Sequence, residues 1–344
     1  MCHIPAAARL PSTAGHTPGQ TPLAYREQDT APDDEGGQGA GGGAVDGGAV
    51  DGGSGDGARG GAKGGRRRKG GYPPLPEPLP VPVIDNHTHI DFRSGAVEVS
   101  VKDALDAAAA AGVRGAVQVG TDLASSRFTA AVVEQDARLL GAVALHPNEA
   151  PLLAEAGTLD AALAEIEQLA AGPRIRALGE TGLDYFRTGE DGRGSQLASF
   201  RSHIDIAKRL RKAVQIHDRE AHDDVVRTLL ADGAPERVVL HCFSGDADLA
   251  RICNEHGWYM SFAGTVTFRN ADTLREALLV ADPALVLTET DSPFLTPHPY
   301  RGKPNASYMV PYTVRSMAGL LDEDLDDLCT RLTANTEDVY GTWD

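Results

Sequence analysis

Short apolar runs alternate along this chain with longer segments whose apolar residues recur every three or four positions. The short runs are typical of buried strands, and the longer spacing places apolar side chains on one face of a helix. We predict strands at residues 81–89, 113–119, 140–145, 175–179, 214–217, 238–241, 259–262 and 285–290. We predict helices between them at residues 102–111, 159–171, 196–211, 223–231 and 273–280.

This order of elements predicts an α/β fold. A strand followed by a helix, repeated along the chain, favours parallel pairing with the helices outside. Eight such units close into a (β/α)8 TIM barrel, for which about 250 residues is typical. Two further helical patterns, at residues 309–320 and 322–340, would cover the barrel. We therefore assign residues 80–344 to one barrel domain.

The first 79 residues lack this pattern. Of the 39 glycines in the chain, 20 lie in this stretch, together with several prolines. Such a segment buries too little apolar surface to offset its chain entropy, so we predict that residues 1–79 form a disordered Gly/Pro-rich tail. Its basic run at residues 66–69 is interpreted as a solvated linker, with a weak nucleic-acid contact as the alternative.

The chain carries a formal net charge of −17, and the tail holds 8 basic and 9 acidic residues, so nearly all of the excess negative charge belongs to the barrel. An acidic domain binds nucleic acid poorly without a local site, because counterion release needs clustered Lys and Arg. The four cysteines form no CxxC pair, and the sequence contains neither a secretory core nor an apolar run of membrane-spanning length. We expect a cytoplasmic protein, with no protein partner evident.

Metal-seeking side chains stand at the ends of the apolar runs. His87 and His89 are two apart on the first predicted strand, so their side chains point the same way. Four later runs each end at or beside an imidazole or a carboxylate: Glu180, His217, His241 and Asp291. In a barrel these strand ends meet at one mouth. A lone histidine is more often a core residue, but this set predicts a metal site.

The number of donors indicates two ions. A single catalytic metal of tetrahedral geometry needs only three protein ligands and a water. We assign His87, His89 and Asp291 to one ion and the two later histidines to the other, with Glu180 bridging. Paired ions about 3.5–4 Å apart lower the pKa of a bound water towards about 7, which suits hydrolysis of a phosphodiester or related ester. Imidazole-rich ligation favours zinc, manganese, iron or nickel over magnesium.

Six motifs around these residues resemble those of the TatD family of metal-dependent deoxyribonucleases, within the amidohydrolase superfamily. They are HxH at 87–89, GETGLDY at 179–185, HDR at 217–219, LHCFSG at 240–245, ETDSPFL at 289–295 and PYRGK at 299–303. The resemblance covers residues 81–341 in order and excludes the tail. It implies that the counterparts of the six predicted ligands hold divalent metals, often described as magnesium, and that Asp291 and Glu180 act in catalysis.

The resemblance also implies a substrate side to this mouth. His146 matches a position near the substrate, and three basic residues match positions where a phosphate is neutralised: Arg219, Arg301 and Lys303. The chain departs from the family pattern at His203, where glutamine is commoner, and at residues 306–307, where Glu-Pro is commoner. These departures leave the ligand set whole and bear on substrate preference.

Several other polar residues are open to plainer interpretations. His203, His222 and His256 fall in or near helical patterns, which favours surface roles. Glu289 either orients a ligand histidine or is an inward polar residue of the last strand, and the sequence favours neither. The glycines beside Glu180 are interpreted as serving backbone shape.

The leading hypothesis from sequence is a metal-dependent hydrolase that cleaves DNA phosphodiester bonds through a metal-activated water. The first alternative keeps the metal site and changes the substrate to an aminoacyl-tRNA ester or a small ester or amide. The second is a non-catalytic binding barrel that acts through its tail, which the intact ligand set disfavours.

Overall fold

Eight parallel strands form one sheet in chain order in the computed structural model, which describes residues 17–26, 71–92 and 97–343. The strands are β1 (Val83–Thr88), β2 (Val113–Val119), β3 (Leu139–Val143), β4 (Ile175–Asp184), β5 (Ala213–Arg219), β6 (Val238–Leu240), β7 (Tyr259–Phe262) and β8 (Val286–Thr288). A parallel bridge between Thr88 and Ser292 joins the last unit to the first. The predicted (β/α)8 barrel is confirmed.

Helices follow the strands and cover the outside of the barrel. They are α1 (Val101–Ala110), α2 (Leu123–Val132), α3 (Ala150–Glu155), α4 (Leu159–Ala170), α5 (Glu190–Leu210), α6 (His222–Asp232), α7 (Ala247–His256), α8 (Asp272–Val280), α9 (Val310–Leu321) and α10 (Leu325–Tyr340). The apolar pattern did not predict α2, α3 or α7. For α2 and α7 the capping signals were present, since Asp122 and Asp246 accept hydrogen bonds from the first-turn amides.

Alternation along the strands divides the core into two layers. In β1, Val83 joins the apolar cluster between strands and helices, while Ile84 joins the cluster that includes Tyr340 at the end of α10. Polar side chains then fill the next level of the interior: Gln215 Nε2 donates to the Asn86 carbonyl at 2.8 Å, and Asn86 Nδ2 donates to Ser261 Oγ at 2.6 Å. These hydrogen bonds join β1, β5 and β7 beneath the strand ends.

Strand β4 runs farther than its apolar pattern predicts. The prediction ended at residue 179, but β4 continues to Asp184 and pairs with β5 as far as Arg219. Gly182 makes this close pairing possible, because its φ is +139° and a Cβ there would lie 2.1 Å from the carbonyl oxygen of His217. Glu180 therefore lies within a strand and not at its end.

Two parts of the predicted tail pack against the barrel. Residues 17–26 and 71–79 are joined by backbone hydrogen bonds between Gly19 and Leu75 and between Leu75 and Gln20, at 2.8 and 2.9 Å. Tyr25 and Leu75 are buried against α1 and Tyr308. These apolar anchors are few and far apart in the sequence, which is why the composition predicted disorder here. The rest of the predicted tail, residues 1–16 and 27–70, lies outside the described residues.

Candidate metal centre

The six predicted ligand residues lie together at one mouth of the barrel, in the carboxyl-terminal halves of their strands or just after them. No more than 17% of any of these side chains is exposed. They form one contiguous cluster at this mouth of the barrel: His87, His89, Glu180, His217, His241 and Asp291. None of the helices in the described part of the chain has the length and hydropathy needed to cross a membrane.

The first half of the cluster is built on β1 and the segment after β8. His87 Nε2 lies 3.1 Å from His89 Nε2, and Asp291 Oδ1 lies 3.4 Å from His89 Nε2. Glu180 Oε2 completes the group at 3.8 Å from His87 Nε2 and 3.7 Å from His89 Nε2. The Asp291 amide donates to the His87 carbonyl at 3.0 Å, which holds the aspartate beside the strand that carries both histidines.

The second half of the cluster surrounds the other oxygen of the same glutamate. Glu180 Oε1 lies 2.6 Å from His217 Nδ1, 3.0 Å from His241 Nε2 and 3.4 Å from His146 Nε2. Glu180 thus presents one oxygen to each half. Each oxygen, together with the histidines that surround it, can offer ligand atoms to a cation.

The charges of the cluster are strongly coupled. Burial alone would raise the pKa of Glu180, but His241 and His146 outweigh burial and hold that pKa well below its usual value. Burial, with the neighbouring His241 and His89, lowers the pKa of His87, which favours the neutral imidazole that binds metals.

The donor set fits a divalent cation. Two imidazole nitrogens 3.1 Å apart, with carboxylate oxygens from Glu180 and Asp291 within 4 Å, bring several lone pairs to one place. Converging lone pairs are costly unless a proton or a cation lies between them. A site of imidazole nitrogens and carboxylate oxygens suits zinc, manganese, iron or nickel. Magnesium prefers oxygen ligands alone, so it fits this set less well.

Three acidic residues that the sequence did not assign support the cluster. Glu289 Oε1 lies 3.1 Å from His241 Nδ1, which is the first of the two roles considered for it. Asp184 Oδ2 lies 3.3 Å from His217 Nε2. Asp85 accepts hydrogen bonds from the Thr290 amide and hydroxyl at 2.8 and 2.7 Å and so braces the segment before Asp291. Asp85 stands two residues before His87 on the same predicted strand, where side chains two apart are expected to point the same way. This spacing could have identified Asp85 from the sequence.

His146, which was predicted to lie near the substrate, is in contact with the predicted metal ligands themselves. Its Nε2 faces Glu180 Oε1, and its ring centroid is 4.5 Å from that of His217. His146, Glu180 and His217 can together offer ligand atoms to one cation. The residue is therefore placed to serve either the metal or the substrate.

The predicted basic residues lie on the surface of the mouth, each with its own environment. The Arg219 guanidinium lies 3.9 Å from the centre of the exposed Phe186 ring, and that of Arg301 lies 4.3 Å from the Phe268 ring. Lys303 is exposed two residues after Arg301. Stacking on aromatic rings leaves the edges of both guanidinium groups able to bind an anion.

The prediction of a surface role for His203 is wrong. His203 on α5 is fully buried, accepts a hydrogen bond from the Leu145 amide at 3.1 Å and lies 2.7 Å from the Ser199 carbonyl oxygen. Helix α5 packs against β4, so the His203 side chain, which was predicted to face solvent, faces the strand and nearby backbone groups. His222, by contrast, is partly exposed and paired with Asp218 at 2.7 Å.

A cavity of about 300 Å³ opens beside His89. Apolar and aromatic residues form much of its wall, including Phe92 and the tail residues Tyr25 and Tyr72. Asp91 also lines it, and none of its lining residues within the described chain is Lys or Arg. The cavity therefore suits an uncharged or cationic part of a substrate better than a phosphate.

A (β/α)8 barrel with clustered imidazoles and carboxylates at the carboxyl ends of its strands defines a class of metal-dependent hydrolases. Residues 84–341 match the family described as TatD related DNase. The chain belongs to this family, as the motifs predicted, and it is a metal-dependent hydrolase.

Relatives and solved structures agree with this assignment. The uncharacterized metal-dependent hydrolase TatD of Mycobacterium tuberculosis is 44% identical over 263 residues, which are 75% of this chain and 98% of that protein. The corresponding hydrolase YabD of Bacillus subtilis is 33% identical over 260 residues, again 75% of this chain and 98% of that protein. The crystal structure of YJJV, a TatD homolog from Escherichia coli, has a TM-score of 0.67 at 27% identity and covers 76% of this chain and 98% of that one.

Proposed function

We propose that this protein hydrolyses phosphodiester bonds of DNA with two divalent metal ions bound at the cluster. The observation that carries the proposal is that the two carboxylate oxygens of Glu180 face different histidine pairs. Its Oε2 faces His87 and His89. Its Oε1 faces His217 and His241. A family described as TatD related DNase supports the same substrate class.

In this proposal the histidine pair of β1 and Asp291 would hold one ion, the two later histidines would hold the other, and Glu180 would serve both. Bound ions would supply neutralisation of phosphate charge and acidification of a water. Asp291, the more exposed of the two carboxylates with 14% of its side chain accessible, accepts the proton of the attacking water. Glu180, held in its ionised form by the surrounding imidazoles, acts as the shared ligand.

The rim residues then bind and orient the substrate. Arg301 and Arg219 offer planar forks to the phosphate oxygens, and Lys303 offers a point charge. The cavity beside His89 receives an uncharged neighbouring group such as a base, because aromatic rings line it and no basic side chain does so within the described chain.

One observation favours a second candidate, the hydrolysis of an aminoacyl-tRNA ester. Asp91 lines the cavity that adjoins His89, where a carboxylate would suit the α-ammonium group of an aminoacyl ester. The metal site and the proton-accepting Asp291 would be used unchanged. The two candidates therefore differ in which group occupies this cavity.

A substrate panel tests the proposal. Single-stranded DNA, double-stranded DNA and aminoacyl-tRNA are each incubated with the full-length protein, with and without added zinc, manganese, nickel, iron or magnesium. We expect metal-dependent cleavage of DNA, and we expect R301Q to raise the KM for DNA more than it raises the KM for a small uncharged ester. Deacylation of tRNA while DNA stays intact would refute the nuclease proposal and support the second candidate. Elemental analysis of protein purified without chelator identifies the metal.

A further inference from the structure

A second cavity lies at the opposite end of the barrel from the metal cluster. It has a volume of about 620 Å³ and is bounded by the starts of β4, β5 and β6 and by the end of α10. The metal cluster lies at the carboxyl ends of the same strands, so the body of the barrel separates the two. A volume in this range accommodates a small organic ligand.

Basic side chains outnumber acidic ones in the wall of this second cavity. Four of them line it, against two acidic residues at the end of α10: Arg176, Arg211, Lys212 and Arg237 face Glu337 and Asp338. The Glu337 carboxylate is already engaged by Arg114, which does not line the cavity. A local excess of positive charge is notable in a chain whose net charge is −17.

Much of this basic capacity is unused within the protein. The Nε of Arg176 is buried without a hydrogen-bond partner, and among the described residues neither Arg176 nor Arg211 forms an ion pair. In the part of the chain that the structure describes, Arg237 forms an ion pair with the exposed Glu236 at 3.5 Å, and such a pair contributes little to stability. Guanidinium groups beside a cavity with donors that no protein group engages can bind an anion there.

Lys212 adds a charge that an anion would stabilise. Its ammonium donates to the carbonyls of Gly172, at 2.8 Å, and Ile175. Burial, together with the positive charge of Arg176, lowers the pKa of Lys212 to about 8. The positive charges of Lys212 and Arg176 repel each other in this partly buried site, and a bound anion would offset that repulsion.

We propose that this cavity binds the phosphate group of a small phosphorylated molecule. Arg176 and Arg237 provide planar forks that match phosphate oxygens, and Lys212 provides a third positive charge. A doubly charged phosphate balances the excess of cations on the wall. The site is separate from the metal cluster and does not depend on the reaction catalysed there.

Acetylation of Lys212 provides a local readout in the metal-loaded, full-length protein. The rate of modification by acetic anhydride is followed by mass spectrometry as inorganic phosphate, or separately deoxyadenosine 5′-monophosphate, is added. We expect saturable protection of Lys212 by at least one of the two, because phosphate raises the pKa of the amine and blocks access to it. Stronger protection by the mononucleotide would show that the ligand extends beyond its phosphate group. Equal protection by sodium chloride at matched ionic strength would overturn the proposal.

Matched variants separate this cavity from the metal cluster, which also attracts phosphate. R176Q and R237Q should each raise the phosphate concentration for half-protection about tenfold or more, as expected for loss of a charge-assisted contact. R127Q is the control, because Arg127 pairs with Glu165 on the surface away from the cavity. Protection in R176Q and R237Q identical to that in the unsubstituted protein would refute the site, provided circular dichroism shows that both variants are folded.

Discussion

Glu289 holds the imidazole of His241 from the side opposite Glu180. His241 Nδ1 lies 3.1 Å from Glu289 Oε1, and His241 Nε2 lies 3.0 Å from Glu180 Oε1. The Cys242 amide also donates to Glu289 Oε1 at 2.8 Å, so the carboxylate is fixed in place. A carboxylate behind a ligand histidine sets the orientation of the ring and raises its basicity.

Glu289→Gln should weaken metal binding while leaving the fold intact. The variant keeps the shape of the side chain and removes the charge that polarises His241, so we expect metal affinity to fall about 10- to 100-fold. Competition with a chelator measures that affinity. Activity should recover at high metal concentration, because Glu289 positions a ligand and does not contact substrate. Glu165→Gln, which removes a partly exposed partner of Arg127, is the control. Equal metal affinity in both variants would contradict the assigned role.

Asp291→Asn should reduce the rate of hydrolysis at least about 100-fold at saturating substrate, since an amide cannot accept the proton of the attacking water. The segment around residue 291 is held by a backbone hydrogen bond from Asp291 to His87, by another from His89 to Ser292, and by the Asp85 contacts to Thr290, so the variant should fold. The turnover number and the circular dichroism spectrum are measured together. Asp272→Asn, at an exposed residue in the first turn of α8, is the matched control. A fully active Asp291→Asn protein would exclude the proposed role.

Tyr25→Ala should destabilise the barrel by about 3 kcal/mol, the usual cost of truncating a buried aromatic side chain. Tyr25 is 4% exposed, and its ring centroid lies 4.6 Å from that of Tyr72 and 5.1 Å from that of Tyr308. Leu23→Ala is the control within the same short segment, because Leu23 is 60% exposed. Thermal unfolding of both variants compares them. If the two variants unfold at the same temperature, residues 17–26 do not contribute to stability through Tyr25.

The sequence predicted the barrel and the grouping of the six imidazole and carboxylate side chains well for one physical reason. Parallel strands bring their carboxyl ends to one mouth, so His87, His217 and His241 could be grouped without knowing any distance. The prediction worked less well where a contact joins elements that periodicity does not relate. His146 stands close to Glu180 because of the register of β3 with β4, and Asp184 stands close to His217 because of the register of β4 with β5. Apolar runs specify neither register.

The sequence pattern also could not predict which polar side chains are buried against backbone groups. His203 was predicted for the surface because α5 is amphipathic, yet the groups that satisfy its ring are the Leu145 amide and the Ser199 carbonyl. Every residue carries such groups, so nothing in the residue types marks the site. Tyr25 shows the same difficulty, since a few aromatic contacts order a segment whose composition is typical of disorder.

His203 should make the stability of this protein fall at acidic pH. Burial lowers the pKa of His203 to about 4, against 6.5 for an ordinary histidine. Between these values the unfolded chain binds a proton that the folded chain does not, so the free energy of unfolding decreases as the pH falls from 6.5 to 4. The full contribution is present above pH 6.5, and its loss by pH 4 amounts to about 3 kcal/mol.

His203→Gln should flatten this part of the pH profile, because glutamine can accept from the Leu145 amide and does not titrate. Denaturant unfolding at several pH values between 4 and 8 measures the slope for each protein. His256→Gln is the control, since His256 is exposed at the end of α7. A slope in His203→Gln as steep as in His256→Gln would show that other groups cause the acid sensitivity. If His203→Gln alone is less sensitive, the buried imidazole limits stability at low pH.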